Sequence, residues 1–282
     1  MIPRRRYEFP VKLARMTLGA VTNGTVRQGP APQLFARMLR DRLAVEQRPQ
    51  PDVTLTSSGR AAFGQLLAQL GVSPPAAVLL PAYTFAGMAS YLEAKGFRVR
   101  LCDIDEDEPL MTLDTVRDAW HDDIQCVVYT HLFGRLADPT PVIDFAHERD
   151  AIVVEDCAHA LGCRDDLGSI GLKGDGALFS FDILKNVTSF GGGLAVSHRD
   201  AEGRCHVDLG SPPSAIGVLK KLATGVLEDA VFAGPWLAPV SALLARPVTR
   251  RAFDRIDRIM RRQTAPEQTA ISHLQARIGI DQ

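Results

Sequence analysis

Two stretches decide the fold: AIVVEDCAHALG, from Ala151 to Gly162, and GALFSFDILKNVTSFGGG, from Gly176 to Gly193. Ala151 to Asp156 and Gly176 to Phe181 are short apolar runs without alternation, the pattern of strands buried on both faces of a sheet. The first ends in the carboxylate of Asp156, and Lys185 follows just past the end of the second. A carboxylate at a buried strand end is costly unless a cation or donor meets it. A lysine among apolar residues either snorkels to water or is chemically engaged.

The same grammar extends toward the N-terminus. VTLT (Val53 to Thr56), AVLL (Ala77 to Leu80), FRVRLCD (Phe97 to Asp103) and IQCVVYT (Ile124 to Thr130) read as further strands. Helical spacing fills the gaps, over Gly59 to Leu70, Phe85 to Lys95 and Thr112 to Trp120. A fourth helix starts at Pro141, with Thr140 as its expected N-cap. Strand and helix alternating in this way predict an α/β fold, a three-layer α/β/α arrangement around a mostly parallel sheet. Residues 1–52 are expected to form an N-terminal arm and an amphipathic helix, Ala31 to Val45. Residues 53–200 then form the α/β domain, 201–266 a helical insertion, and 267–282 a final helix of the same domain.

Composition narrows the function. The 282 residues are 46% hydrophobic and 23% charged, as in an ordinary globular protein. Lys plus Arg number 32 against 33 Asp plus Glu, a balance that argues against a nucleic-acid partner. Five cysteines without a C-x-x-C pair speak against a disulfide scaffold or a zinc ribbon, and no metal site is expected. The basic start MIPRRRYEFPVKLARM lacks a signal peptide's apolar core, and no uncharged apolar run reaches the roughly 18 residues of a membrane span. The expected compartment is the cytoplasm.

In open parallel sheets ligands bind beyond the carboxyl ends of the strands. Four features fall there. Ser57-Ser58-Gly59-Arg60 turns a strand into a helix, where free N–H groups and the helix dipole can seat a phosphate, or where a serine simply caps the helix. Phe85, in PAYTF, is an aromatic plate or ordinary core. Asp156 and Lys185 complete the set. Phosphate seat, aromatic, acid and lysine are together the parts of a pyridoxal phosphate (PLP) site.

The stretches TSSGRAAF, LLPAYTFAGMA, LCDIDED, THLFGRLADPTPVIDFAHERDAIVVEDCAHALG and ALFSFDILKNVTSFGGGLAV, in that order, resemble the DegT-like sugar aminotransferases of PLP fold type I. The resemblance covers about Val53 to Ser197, and ISHLQARIGIDQ near the C-terminus is similar to a further family segment. It implies that Lys185 is the Schiff-base lysine and Asp156 the partner of the pyridine nitrogen. Phe85 matches the stacking aromatic, and His159 occupies the position that packs against the cofactor ring; a core histidine satisfied by backbone is the other reading. Gly59, Arg60 and Ser180 fall where the family contacts the phosphate, although Ser180 on a strand also reads as space-filling. His131, ending a strand, reads as structural. The implied reaction carries an amino group, typically from glutamate, to a keto sugar on a nucleotide, in a homodimer with cofactor sites near the subunit interface. A keto cyclitol is an alternative acceptor.

Three departures from the family pattern stand out. Gly191 replaces a frequent Glu in the glycine-rich turn, and Arg60 replaces a Thr, losing a hydroxyl but adding a cation. Family members also continue into a smaller C-terminal domain beyond the segment resembling ISHLQARIGIDQ, so the sequence reads either as a fragment or as a truncated homologue. The rival function is accordingly a non-catalytic homologue that binds or regulates, which intact Lys185 and Asp156 argue against. Finally, Ala230 to Ala245, uncharged but broken by Pro235 and Pro239, precedes a basic segment from Arg250 to Arg262. Peripheral membrane contact and an arginine gripping a substrate phosphate are open readings. The apolar Phe253, Ile256 and Met260 favour an ordinary helix buried in the dimer.

Overall fold

A computed structural model describes residues 30–44, 49–106, 109–135, 137–165, 168–182, 185, 187, 189 and 191–210, with isolated positions 18, 19, 22, 216, 217, 219, 220 and 223. The expectations for most of the arm, for nearly all of 211–266 and for the helix at 267–282 lie outside the described residues.

Helix α1 (Ala31–Leu43) leads into β1 (Asp52–Thr56), α2 (Gly59–Gln69), β2 (Ala77–Pro81), α3 (Ala86–Ala94) and β3 (Arg98–Cys102). There follow α4 (Leu113–Asp118), β4 (Ile124–Thr130), a 3-10 turn (Leu132–Gly134), α5 (Thr140–His147) and β5 (Ile152–Asp156). A small hairpin, β6 (Arg164–Asp165) with β7 (Gly168–Ser169), precedes β8 (Gly176–Ser180), β9 (Gly193–Ser197) and β10 (Cys205–Asp208). The main sheet has eight strands in the order β10-β1-β9-β8-β5-β4-β2-β3. All neighbours are parallel except β9, which runs antiparallel to both β1 and β8. The expected mostly parallel α/β sheet is what the chain forms.

Helices cover both faces. On one, Phe63, Leu66 and Leu67 of α2 and Met88 and Leu92 of α3 pack on Val78, Leu80, Val128, Val154, Leu178 and Ala195. On the other, α4 and α5 bring Val116, Val142, Ile143 and Phe145 onto Leu79, Val127, Tyr129 and Val153. Farther along this second face, Ala36 and Leu43 of α1 pack with Val53, Leu55, Phe179, Phe181 and Val196, and the Phe35 ring meets Phe181 edge-on at 5.3 Å. Burying each such large side chain stabilises by about 1.5–3 kcal/mol, so α1 belongs to the body of the domain.

Two expectations need correction. The stretch assigned from residue 201 to a helical insertion begins with β10, which pairs in parallel with β1, so the sheet runs past residue 200. Asp52 and Arg204 clasp these strands. Asp52 Oδ1 accepts the N–H groups of Glu202 and Arg204 at 3.0 and 2.8 Å, and the Arg204 guanidinium reaches Oδ2 at 2.6 Å. Burial raises the Asp52 pKa, but the Arg204 side chain and these N–H groups outweigh it and hold the acid below the usual range. Second, α5 begins at Thr140 itself. Asp138 Oδ1 accepts both the N–H and the hydroxyl of Thr140, at 3.1 and 2.6 Å, while the Val142 and Ile143 N–H groups that Thr140 was expected to cap donate to Pro139 O.

Candidate active site

Because β1, β2, β4, β5 and β8 share one direction, their carboxyl ends open on one edge of the sheet. That edge collects the Ser57–Arg60 turn, Phe85 at the head of α3, His131, Asp156 and the turn that carries Lys185.

Lys185 is held by a turn in which its own N–H donates to Asp182 O at 3.0 Å. Its Nζ lies 3.0 Å from His159 Nε2. Burial pushes the lysine pKa down from its ordinary value, against the opposing charges of Asp156 and Asp182. The His159 pKa is lowered too, by burial and then by the Lys185 charge. A protonated lysine can only donate, so Nε2 accepts and the ring proton belongs on Nδ1. His159 is therefore no core histidine satisfied by backbone, and Lys185 does not simply snorkel.

Asp156 ends β5 and is only 4% exposed. Its Oδ1 accepts the Ala158 N–H at 2.9 Å. Burial dominates and raises the carboxyl pKa, while Ala158 and the charges of Lys185 and His131 resist. A carboxyl this buried, with one backbone donor on Oδ1, has capacity for a cationic N–H donor at Oδ2.

The phosphate-seat residues also converge. Ser58 Oγ caps α2 by accepting the Ala61 N–H at 3.1 Å. Ser180, at the end of β8, lies so close to Gly59 that a Cβ there would sit 3.2 Å from Ser180 Oγ. Gly192, at φ 101°, bonds its N–H to Ser57 O at 3.0 Å and forms a bridge with Ser58. The glycine-rich turn is thereby tied to the head of α2, where the helix dipole favours an anion. Arg60 is exposed in the first turn of that helix.

Phe85 is 59% exposed, which excludes the ordinary-core reading. Two further rings surround the site that the sequence did not flag. Phe133 stacks on His159, with centroids 6.2 Å apart and planes 10° from parallel, and Tyr83 tilts against Phe133 at 6.4 Å. Phe133 adopts φ 55°, a left-handed conformation rare for a bulky residue.

Glu155 is the other group missed. It is 1% exposed and points to the opposite face from Asp156. Its Oε1 accepts the Lys173 and Gly174 N–H groups at 2.7 and 2.8 Å, and Oε2 accepts from Gly171 at 3.2 Å and pairs with His131 Nε2 at 2.8 Å. Burial pushes this carboxyl up, yet His131 and the backbone donors outweigh it and hold it ionised below its usual range. His131 in turn donates its backbone N–H to Asp156 O at 3.0 Å, so the buried pair braces the strand end that carries Asp156. An acid inside the apolar run AIVVED was the available signal, since it demands partners.

Together the edge offers a depressed amine, a buried acid, exposed aromatic faces and a helix N-terminus with a hydroxyl. That donor set fits a flat, nitrogen-containing ring bearing a carbonyl and a phosphate, the chemistry of pyridoxal phosphate. Among the described residues His131, Glu155 and Cys157 also bring ligand-type atoms within 4.8 Å of one another. Glu155 there is already committed to three N–H groups and His131, and burial pushes the Cys157 thiol well up, so a hydrogen-bonded cluster describes them better than a cation site.

Comparison with known proteins bears on this geometry. The model of the DegT/DnrJ/EryC1/StrS aminotransferase family matches residues 12–207. L-glutamine:2-deoxy-scyllo-inosose aminotransferase of Streptomyces kanamyceticus is 31% identical over 181 residues, covering 61% of this chain and 42% of that protein. UDP-N-acetyl-3-dehydro-alpha-D-glucosamine 3-aminotransferase of Acidithiobacillus ferrooxidans is 30% identical over 146 residues, covering 52% and 40%. The PLP-form of a Streptococcus pneumoniae protein assigned as a sugar aminotransferase superposes with a TM-score of 0.57 at 21% identity, over 79% of this chain and 56% of that one. The chain thus spans about two fifths of the length of these curated relatives. Among the described residues no helix is long and apolar enough to cross a membrane.

Proposed function

Since the chain belongs to the DegT/DnrJ/EryC1/StrS aminotransferase family, we propose that it is a PLP-dependent transaminase carrying an amino group from glutamate to a nucleotide-linked keto sugar. The observation that carries this reading is the Lys185 amine, its pKa depressed by burial, at 3.0 Å from His159 and within the electrostatic reach of Asp156.

When bound, pyridoxal phosphate supplies the electron sink that makes the substrate's amine-bearing carbon acidic. Lys185 would hold its aldehyde, Asp156 its ring nitrogen, Phe85 and His159 its faces, and Gly59, Arg60 and Ser180 its phosphate. Asp156 keeps a proton on that nitrogen through the electrostatics of a buried carboxylate. Burial lowers the Lys185 pKa from its ordinary value and so favours the free amine, which takes the proton from the substrate carbon as base and returns it as acid. His159, kept neutral, accepts from the lysine without adding a second positive charge.

The relatives named for a UDP-sugar and for an inosose support a keto sugar or keto cyclitol as acceptor. The exposed rings of Tyr83, Phe85 and Phe133 at the mouth support a homodimer whose second subunit covers the site. A cytoplasmic setting is consistent with reactants of this kind. The test is a single half-reaction. Purified chain saturated with pyridoxal phosphate is mixed with glutamate and no acceptor, and 2-oxoglutarate is counted. One equivalent per site, abolished by Lys185→Ala, is expected; none from the unaltered chain would refute transamination and favour a non-catalytic binding role.

A further inference from the structure

We propose that Phe133 is a positioning residue that holds the His159 imidazole in the plane and tautomer in which its Nε2 accepts from Lys185. The inference deepens the reading of this edge as a cofactor site and rests on it for its functional consequence, though not for its geometry. The Phe133 ring lies behind the imidazole at 6.2 Å with only 10° between planes, within the range of an offset stack. The ring is 68% exposed, so packing in the core does not explain its place.

The backbone is shaped around the contact. Phe133 sits at φ 55° and Gly134 at φ 73°, two successive left-handed residues that only glycine adopts without strain. A Cβ on Gly134 would lie 3.1 Å from His159 O, so the glycine lets the turn press directly against the His159 backbone. A strained aromatic held over a polar ring points to a function for that ring's orientation. Tyr83 also meets the Phe133 ring, tilted by 58° with centroids 6.4 Å apart, and limits its swing. The imidazole is therefore fixed by a plate on one side and by Lys185 at its edge. A free imidazole would rotate about its χ2, exchange Nε2 for Cε1 against the lysine, and leave Lys185 without its acceptor.

The test uses the full chain with ¹⁵N-labelled histidine and the variants Phe133→Leu and Phe133→Tyr. In the unaltered protein above neutral pH, His159 is expected in one tautomer, protonated on Nδ1, by its ¹⁵N shifts. Phe133→Leu should spread His159 over both tautomers and weaken pyridoxal phosphate affinity about three- to tenfold, the scale of one aromatic stack. Phe133→Tyr, which keeps the plate, should restore both. Should Phe133→Leu leave the His159 tautomer unchanged, or Phe133→Tyr fail to restore it, the proposal is wrong. If the unaltered chain takes up no pyridoxal phosphate, the cofactor reading falls, while the tautomer measurement still decides the role of Phe133.

Discussion

Glu155→Gln is the substitution whose consequence the structure fixes most tightly. The carboxylate receives three backbone N–H groups and His131 in a site where it is 1% exposed. An amide keeps one oxygen, which can still accept from Lys173 and Gly174, but its NH₂ then faces the Gly171 N–H as donor against donor. One charge-assisted bond to His131, about 1.5–3 kcal/mol, is lost, and one buried N–H is left unmet at about 1–3 kcal/mol. Rotamer adjustment recovers part of this, and breaking a buried pair costs about 3–5 kcal/mol in general, so we expect about 3 kcal/mol of destabilisation. With a urea slope of about 3 kcal/mol/M, the unfolding midpoint should fall by about 1 M at pH 7.5. The sign of the pH dependence follows from the depressed Glu155 pKa. Its stabilisation is full above the unfolded value of 4.5 and fades as pH drops through the lower folded value, so the gap between the two proteins should narrow below about pH 4.5. A midpoint shift under about 0.3 M, or a gap that widens in acid, would refute the bracing role of this pair.

Other substitutions separate site from scaffold. Phe85→Ala should change stability by no more than about 0.5 kcal/mol because the ring is exposed, yet weaken pyridoxal phosphate binding about three- to tenfold by loss of a stack; a loss of several kcal/mol in stability instead would return Phe85 to the core. Gly193→Ala would drive a Cβ into the Ser58 carbonyl and to 2.7 Å from Gly59 N. Cofactor affinity measured by dialysis should fall well below that of a Gly203→Ala control remote from the site, and equal affinities would disconnect the glycine-rich turn from the phosphate seat. For Lys185, the pH at which half of it reacts with an amine reagent should lie below the ordinary lysine value of 10.5 and should rise on substitutions that admit water; labelling at or above that value contradicts the depressed amine. Asp156→Asn should retain cofactor but slow transamination by orders of magnitude, and near-normal turnover would remove the acid from the mechanism.

Much of this architecture was legible because it is local. The apolar runs ending at Thr56, Thr130, Asp156 and Ser180 declare buried strands, and their carboxyl ends lead to Ser58, Asp156 and Lys185 without any long-range information. Strand order was not legible. β9 wedges between β1 and β8 in the antiparallel sense, which depends on pairing between residues far apart in the chain, and GLAVS carries no mark of direction. Cys205–Asp208 is an edge strand whose residues alternate between half-buried and exposed, so its sequence lacks the apolar run that marked the others. The proximity of Gly59 and Ser180 and the stack of Phe133 on His159 are likewise contacts between distant segments, created only when the sheet brings them to one edge. Glu155 was legible in principle. An acid among Ile152, Val153 and Val154 asks for partners, but the adjacent Asp156, at the strand end where ligands bind, draws attention first.

The most direct measurement is borohydride reduction of the purified chain with pyridoxal phosphate, followed by peptide mass mapping. A single phosphopyridoxyl group on Lys185 is the expected result, because its half-buried amine, held below its ordinary pKa, is the nucleophile in the proposed site. Absence of an adduct, or labels scattered over surface lysines with Lys185 unmodified, would contradict the cofactor site at its centre.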